Sequence, residues 1–263
     1  MLKLNGSKVE IGNFPDGTLL LKQNVPVSED GAMMIDWRYE SDSELFALYS
    51  LTRHLQKFGY RVNLFMPYIP NARMDRVKNA EDVFTLKYFA GIINSLSFES
   101  VTVLDPHSSV SEALIEHIRI VHPDKYIHDT MARIGNENLL MFYPDEGAMK
   151  RYSGTSNAPY AFGIKNRDWK TGKILGLEIM GEKSLIDGSD VLIVDDICSR
   201  GGTFFHAAKA LKACGAKNIY LFITHCENTI LKGEVLTSGL IERVYTTDSI
   251  CAVKHEKVEV ICL

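Results

Sequence analysis

Residues 191–204 read VLIVDDICSRGGTF, and the fold turns on how they are read. Val191 to Val194 is an apolar run suited to a buried parallel strand. Asp195 and Asp196 follow, then a short polar loop ending Gly201-Gly202-Thr203, then an apolar-striped helix. The pattern is a strand, an acidic loop and a helix N-terminus. Backbone N–H groups at such a terminus lack intrahelical partners and carry the positive end of the helix dipole, so phosphate is their natural ligand. The two glycines let backbone approach an anion closely. Carboxylates beside a phosphate cradle would repel phosphate alone, so the ligand they suit also brings hydroxyls or a divalent cation, as a sugar phosphate with magnesium does.

Composition sets the frame. A chain of 263 residues holds one large or two modest domains, and 46% apolar residues is ample for a buried core. A net charge of -4 provides no basic field, which argues against nucleic acid as the main partner. The cysteines (Cys198, Cys214, Cys226, Cys251, Cys262) are odd in number, widely spaced and without a CxxC pair. Free thiols in a reducing cytosol are therefore expected, rather than a disulfide framework or structural zinc. The opening MLKLNGSKVE lacks a signal-peptide core, and no stretch reaches membrane-spanning length. A cytoplasmic protein without a membrane partner is expected.

Along the chain, Asn13-Phe14-Pro15-Asp16-Gly17 is turn chemistry, followed by strands over Thr18–Lys22 and Ala32–Trp37. Ser41 and Glu44 form a capping-box pattern that predicts a helix to about Phe58, stopped by Gly59. After a strand over Arg61–Met66, the polar connection Pro67–Asp82 carries Arg73, Asp75, Arg76 and Lys78. Loops leaving the carboxyl ends of parallel strands hold ligands in α/β proteins, so this one suits an anion or is simply a solvated charged loop. A helix over about Val83–Ser95 and a strand over Ser100–Leu104 lead to Asp105-Pro106-His107-Ser108, an echo of the Asp195 stretch that suggests a duplicated architecture. Asp105 and His107, two apart, share a side and suit a metal or a phosphate, although a turn histidine is more often structural. A second capping box, Ser109 with Glu112, predicts a helix to about Ile118. Strands over Leu139–Tyr143 and Tyr160–Ile164 lead respectively to Pro144-Asp145-Glu146-Gly147 and to Lys165-Asn166-Arg167-Asp168. The polar run Asn166–Lys173 reads as a mobile flap whose Lys and Arg suit phosphates, or as an ordinary basic surface loop. A helix to about Cys214, a strand over Asn218–Thr224, a short helix from Asn228 and strands near Arg243–Thr246 and Val258–Leu263 complete the chain.

The order of these signals resembles one family along nearly the whole chain, the ribose-phosphate pyrophosphokinase or PRPP synthetase family, of which this would be a short and divergent member. FPDGT stands for its Phe-x-(Asp/Asn)-Gly-Glu turn, MPYIPNARMDR for its Pro-Tyr…Ala-Arg-Gln-Asp-Arg stretch and LDPHS for its Asp-Leu-His. YPDEGAMKR, IKNR and VDDICSRGGT match its later motifs, the last being the PRPP loop of type I phosphoribosyltransferases. Phosphoribosyltransferases share that loop but lack the first three motifs.

The resemblance implies an α/β fold of two type I phosphoribosyltransferase-like domains, each a mainly parallel sheet flanked by helices. Residues 1–133 would bind ATP, and residues 134–263 would carry the loop for ribose 5-phosphate. Arg73, Met74 and His107 would contact the nucleotide, with Phe14, Asp16 and Thr18 reaching adenine from a neighbouring subunit of a homodimer or higher homo-oligomer. Asp105, His107 and Asp145 would hold or orient Mg2+; Asp195, Asp196, Ser199, Arg200, Gly201, Gly202 and Thr203 would hold ribose 5-phosphate; Lys165 and Arg167 would be catalytic. Departures stand beside the matches. The strand-helix unit that usually precedes the FPDG turn is missing, Thr18 replaces a Glu, Met74 a Gln and Ser199 an Asp. Two other activities stay open: a phosphoribosyltransferase consuming PRPP, and a noncatalytic regulatory subunit.

Overall fold

The computed structural model describes residues 1–26, 28–136, 138–167, 174–181 and 183–263, with backbone only at 165–167, 174–176 and 183. The chain divides into two compact units, Met1–His122 and Pro123–Leu263. That division falls earlier than the boundary after residue 133 expected from the motifs.

In the first unit, β1 (Leu2–Leu4), β2 (Ser7–Lys8), β3 (Glu10–Asn13), β4 (Leu19–Lys22) and β5 (Ala32–Trp37) precede α1 (Ser43–Lys57). Then come β6 (Arg61–Phe65), α2 (Thr85–Ser95), β7 (Ser100–Leu104), α3 (Ser109–Leu114) and β8 (Ile118–Val121). The sheet order is β2-β1-β5-β6-β7-β8, parallel from β5 to β8, with β1 and β2 antiparallel at one edge. β3 and β4 form a separate hairpin. Helix α1 buries Ala47, Leu48, Leu51 and Leu55, the three-and-four spacing of one helical face, in a core with Trp37 and Leu64.

Two helix expectations are corrected here. No capping box forms at Ser41: Asp42 precedes α1 without a side-chain cap, and Glu44 instead accepts from the Trp37 indole N–H at 3.0 Å and the Glu40 N–H at 2.9 Å. A fully buried indole needs an acceptor, and that demand takes the carboxylate. The helix from Ser109 ends at Leu114 rather than near Ile118, because Ile118–Val121 has the alternating burial of a strand and pairs with β7. β1 escaped the sequence reading because three residues are too few to show a period, although Leu2 and Leu4 are core.

The second unit contains α4 (Asp124–Ile134), β9 (Leu140–Tyr143), α5 (Glu146–Tyr152), β10 (Tyr160–Arg167) and β11 (Ile174–Met180). It continues with β12 (Val191–Cys198), α6 (Gly202–Ala213), β13 (Ile219–Cys226), β14 (Arg243–Thr247) and β15 (Val258–Ile261). The order is β11-β10-β9-β12-β13-β14-β15, parallel except for β11. β9 is buried along its whole length, as befits a strand covered on both faces. Leu192 and Val194 pack with Ala148 and Tyr152 of α5, whereas Val191 and Ile193 pack with Phe204 and Leu211 of α6. The chain thus leaves β9 and β12 in opposite directions over opposite faces. Adjacent strands that part in this way open a crevice beyond their carboxyl ends.

Candidate functional site

That crevice receives the acidic pair. β12 does not stop at Val194 but runs through Asp195 and Asp196 to Cys198, in register with β13 as far as Cys226. Both carboxylates are buried, with Asp195 8% and Asp196 3% exposed. Arg151, projecting from the last turn of α5, brings its Nη2 to 3.1 Å from Asp196 Oδ1 and 3.4 Å from Asp195 Oδ1. The Asp196 N–H also donates to Asp195 Oδ1 at 3.0 Å. Burial pushes the Asp195 carboxyl well above its ordinary value, the negative charge of Asp196 pushes the same way, and Arg151 only partly offsets them.

Asp145 caps α5 across the crevice, its Oδ1 accepting the Ala148 N–H at 3.0 Å, and its charge adds to the upward push on Asp195. Arg151 thus bridges Asp195 and Asp196, with the Asp145 carboxylate close enough for its charge to be felt at Asp195. On the β12 side, Gly201 takes a left-handed φ of 75° as the residue before α6 and accepts the Phe205 N–H at 2.9 Å. Ser199 and Thr203 are half-buried, Arg200 and Gly202 exposed, and a Cβ built on Gly202 would meet nothing within 4 Å. The turn from Ser199 to Thr203 therefore opens onto space at the first turn of a 12-residue helix.

Lys165 and Arg167 lie on β10, opposite Leu177 and Ile174 of β11. Of the flap expected over Asn166–Lys173, Asn166 and Arg167 belong to β10, while residues 168–173 and the side chains of Lys165 and Arg167 lie outside the described residues. Sequence reasoning placed a loop there and did not foresee that its far side returns as β11.

In the first unit, the loops at the strand ends carry the other candidates. Asp105, buried at the end of β7, has φ +43° and donates its N–H to the Val121 carbonyl at 2.9 Å. His107 is half-buried two residues on. Asp75 is buried, and its pKa is held below the ordinary value by hydrogen bonds from Arg76, whose Nε lies 2.8 Å from Oδ1, and further by the nearby His107. Arg73 is exposed and Met74 half-buried in the same loop, where the Met74 N–H donates to the Asn71 carbonyl at 2.9 Å. Phe14, Asp16 and Thr18 form the exposed tip of the β3–β4 hairpin. There Asp16 Oδ1 accepts from the Thr18 hydroxyl at 2.7 Å and its N–H at 2.9 Å, which lowers the Asp16 pKa.

Among the described residues, no group of three or more His, Cys, Asp or Glu side chains could hold a metal ion by itself. The donors in the crevice are hard carboxylate oxygens, and the Asp195 carboxyl is pushed up by burial and by its carboxylate neighbours more than Arg151 offsets. That chemistry fits a divalent cation that takes most of its ligands from substrate phosphates and water, as magnesium does.

Arg151 is the site residue that sequence reasoning left without a role. Its signal was present in YPDEGAMKR, where a basic residue follows Asp145 at a spacing that brings it round the helix. Only the β9–β12 adjacency shows what it faces.

A phosphoribosyl transferase domain matches residues 157–235. The ribose-phosphate pyrophosphokinase of Pyrococcus abyssi is 29% identical over 245 residues, covering 90% of this chain and 79% of its own length. That of Saccharolobus solfataricus is 27% identical over 224 residues, covering 83% of this chain and 76% of its own. The crystal structure of phosphoribosylpyrophosphate synthetase from Mycobacterium smegmatis superposes with a TM-score of 0.76 over 97% of this chain and 86% of its own, at 16% identity. The chain shares that fold, and it is a divergent relative of the ribose-phosphate pyrophosphokinases, as its motifs led one to expect. No helix among the described residues is long and apolar enough to cross a membrane.

Proposed function

We propose that the chain is a ribose-phosphate diphosphokinase, which transfers the β,γ-pyrophosphoryl group of ATP to the anomeric hydroxyl of ribose 5-phosphate. The observation that carries this reading is the buried Asp195–Asp196 pair, bridged by Arg151 and adjoining a turn that opens at the N-terminus of α6. Carboxylates accept hydrogen bonds from ribose hydroxyls, while the turn's N–H groups and the helix dipole take the 5-phosphate. Arg151 keeps the two carboxylates facing the sugar. The relatives' printed names support the same reaction, and the loops around Arg73 and His107 have no counterpart in the motif set of plain phosphoribosyltransferases.

In the proposed reaction the anomeric oxygen forms a bond to the β-phosphorus, the bond from that phosphorus to the α,β-bridging oxygen breaks, and AMP leaves with that oxygen. Such transition states need alignment and charge neutralisation more than covalent help. Lys165 and Arg167 supply two cations to the transferring group. Arg73 and Met74 hold the nucleotide, and Asp105, His107 and Asp145 hold or orient magnesium. When bound, magnesium would neutralise phosphate charge and polarise the P–O bonds. Phe14, Asp16 and Thr18 reach the nucleotide of a neighbouring copy in a homo-oligomer, a role supported by the exposure of the hairpin tip. Residues 1–133 serve ATP and residues 134–263 the sugar phosphate, in the cytoplasm and in nucleotide biosynthesis.

The test is to incubate the protein with ribose 5-phosphate, ATP and magnesium and to quantify AMP and PRPP together. Equal amounts of both are expected, with Lys165→Ala lowering kcat far more than it raises KM. AMP without PRPP, or neither product from folded protein, would sink the proposal.

A further inference from the structure

Beneath the Ser199–Thr203 turn lies a segment that the proposed chemistry does not use. Residues Glu227 to Val235 leave the end of β13, pass through a 3-10 turn at Asn228–Lys232 and run back under the turn. They meet it through two backbone contacts and one buried side chain. The Glu227 N–H donates to the Cys198 carbonyl at 2.8 Å, which ties the first residue of the segment to the last residue of β12. Gly233 packs so tightly on the turn that a Cβ there would sit 1.8 Å from the Arg200 carbonyl oxygen and 2.8 Å from its carbon. One residue further along the turn, a Cβ on Gly201 would sit 2.2 Å from Val235 Cγ2. Val235 and Ile230 are fully buried, so the segment is anchored in the core and is not free to yield.

These contacts fix two consecutive residues of the turn from below, while Gly202 above them faces open space. We infer that Glu227–Val235 is a clamp that sets the height of the Ser199–Thr203 turn, with Gly233 and Val235 as positioning residues for the sugar-phosphate site. The inference rests on reading that turn as the sugar-phosphate cradle. Neither residue touches substrate; each acts through the backbone of Arg200 or Gly201. A cradle of N–H groups binds well only if its donors are already aimed, since ordering them at the moment of binding would be taken out of the affinity. A rigid floor supplies that aim before the ligand arrives.

Val235→Ala removes the methyl groups under Gly201, and Val235→Thr keeps their branched shape while adding a buried hydroxyl. For Val235→Ala, KM for ribose 5-phosphate should rise about tenfold while kcat and KM for ATP stay within about twofold. Val235→Thr should return KM for ribose 5-phosphate towards wild type even though its melting temperature falls. A merely structural role would instead make both KM values follow the melting temperature, and that result would overturn the clamp. Hydrogen exchange of ligand-free protein gives the second reading: Val235→Ala should speed exchange of the Arg200–Thr203 amides about tenfold or more, with β12 and β13 amides unchanged. Unchanged exchange in the turn would overturn the clamp whether or not the protein turns over ribose 5-phosphate. Failure of wild-type turnover with the expected exchange pattern would retire the functional reading and leave the clamp standing.

Discussion

Asp75 in the first unit and Asp195 in the second are both buried carboxylates near the carboxyl ends of parallel strands, yet their surroundings push them in opposite directions. Asp75 has a guanidinium and a histidine for company and is held below its ordinary value. Asp195 has two further carboxylates and a shared arginine and is held well above it. The strand order accounts for the difference. From β5 to β8 the first sheet advances in one direction, and Asp75 finds its guanidinium at the next residue of its own loop and its histidine on the loop after β7. In the second sheet the chain parts at β9 and β12, and loops from two directions bring their carboxylates to one crevice. Among the described residues, Asp75 thus sits beside groups that stabilise its charge, whereas Asp195 sits in a local surplus of negative charge.

The largest effect expected from breaking this contrast is at the pair itself. Asp195→Asn should lower turnover by about 100-fold or more, because a preorganised polar contact at the reacting sugar is lost. It should also raise the melting temperature of the ligand-free protein. A carboxyl whose folded pKa lies above its unfolded 3.8 binds protons more tightly when folded, so stability falls as pH rises from 3.8 through the folded value. The variant should flatten that fall, and a melting temperature below wild type above that window would contradict the surplus-charge account.

Next in size is Arg151→Leu, which strands two buried carboxylates and should cost about 3 kcal/mol in urea unfolding. Adding Asp196→Asn should recover a large part of that loss; strict additivity in the double-mutant cycle would show that the pair is not coupled.

Two neighbouring glycines sharpen the comparison further. Gly201→Ala collides with Val235 from a left-handed backbone and should prevent normal folding, whereas Gly202→Ala meets nothing and should melt like wild type. The Gly202 methyl would nevertheless intrude on the phosphate, raising KM for ribose 5-phosphate about tenfold. The smallest effect belongs to the first unit. Asp75→Asn should cost about 1 kcal/mol near neutral pH. Because the Asp75 pKa is lowered, that contribution is present above 3.8 and lost as pH falls through the folded value, so the variant should converge on wild type in acid.

How much was legible in the sequence follows from the range of the interactions. Strands β5, β6, β7 and β9, helices α1, α2 and α6, and the strand-to-helix turn at Asp195 were readable because apolar period, turn residues and helix stops act over a few neighbours. Glu44 was misread because its carboxylate serves an indole on another element, and β8 because its reason to exist is a partner strand. The glycines announced that backbone must come close to something, and Asp195-Asp196 announced a ligand with more than phosphate to offer. What lay beyond reach was every pairing between elements. Arg151 faces the carboxylates because β9 and β12 are adjacent, and Gly233 lies under Arg200 because the chain after β13 turns back beneath the cradle. Residue types and local spacing thus determined the chemistry on offer, and tertiary structure alone decided which charges share a crevice and which backbone packs beneath the Ser199–Thr203 turn, since those contacts join residues tens of positions apart.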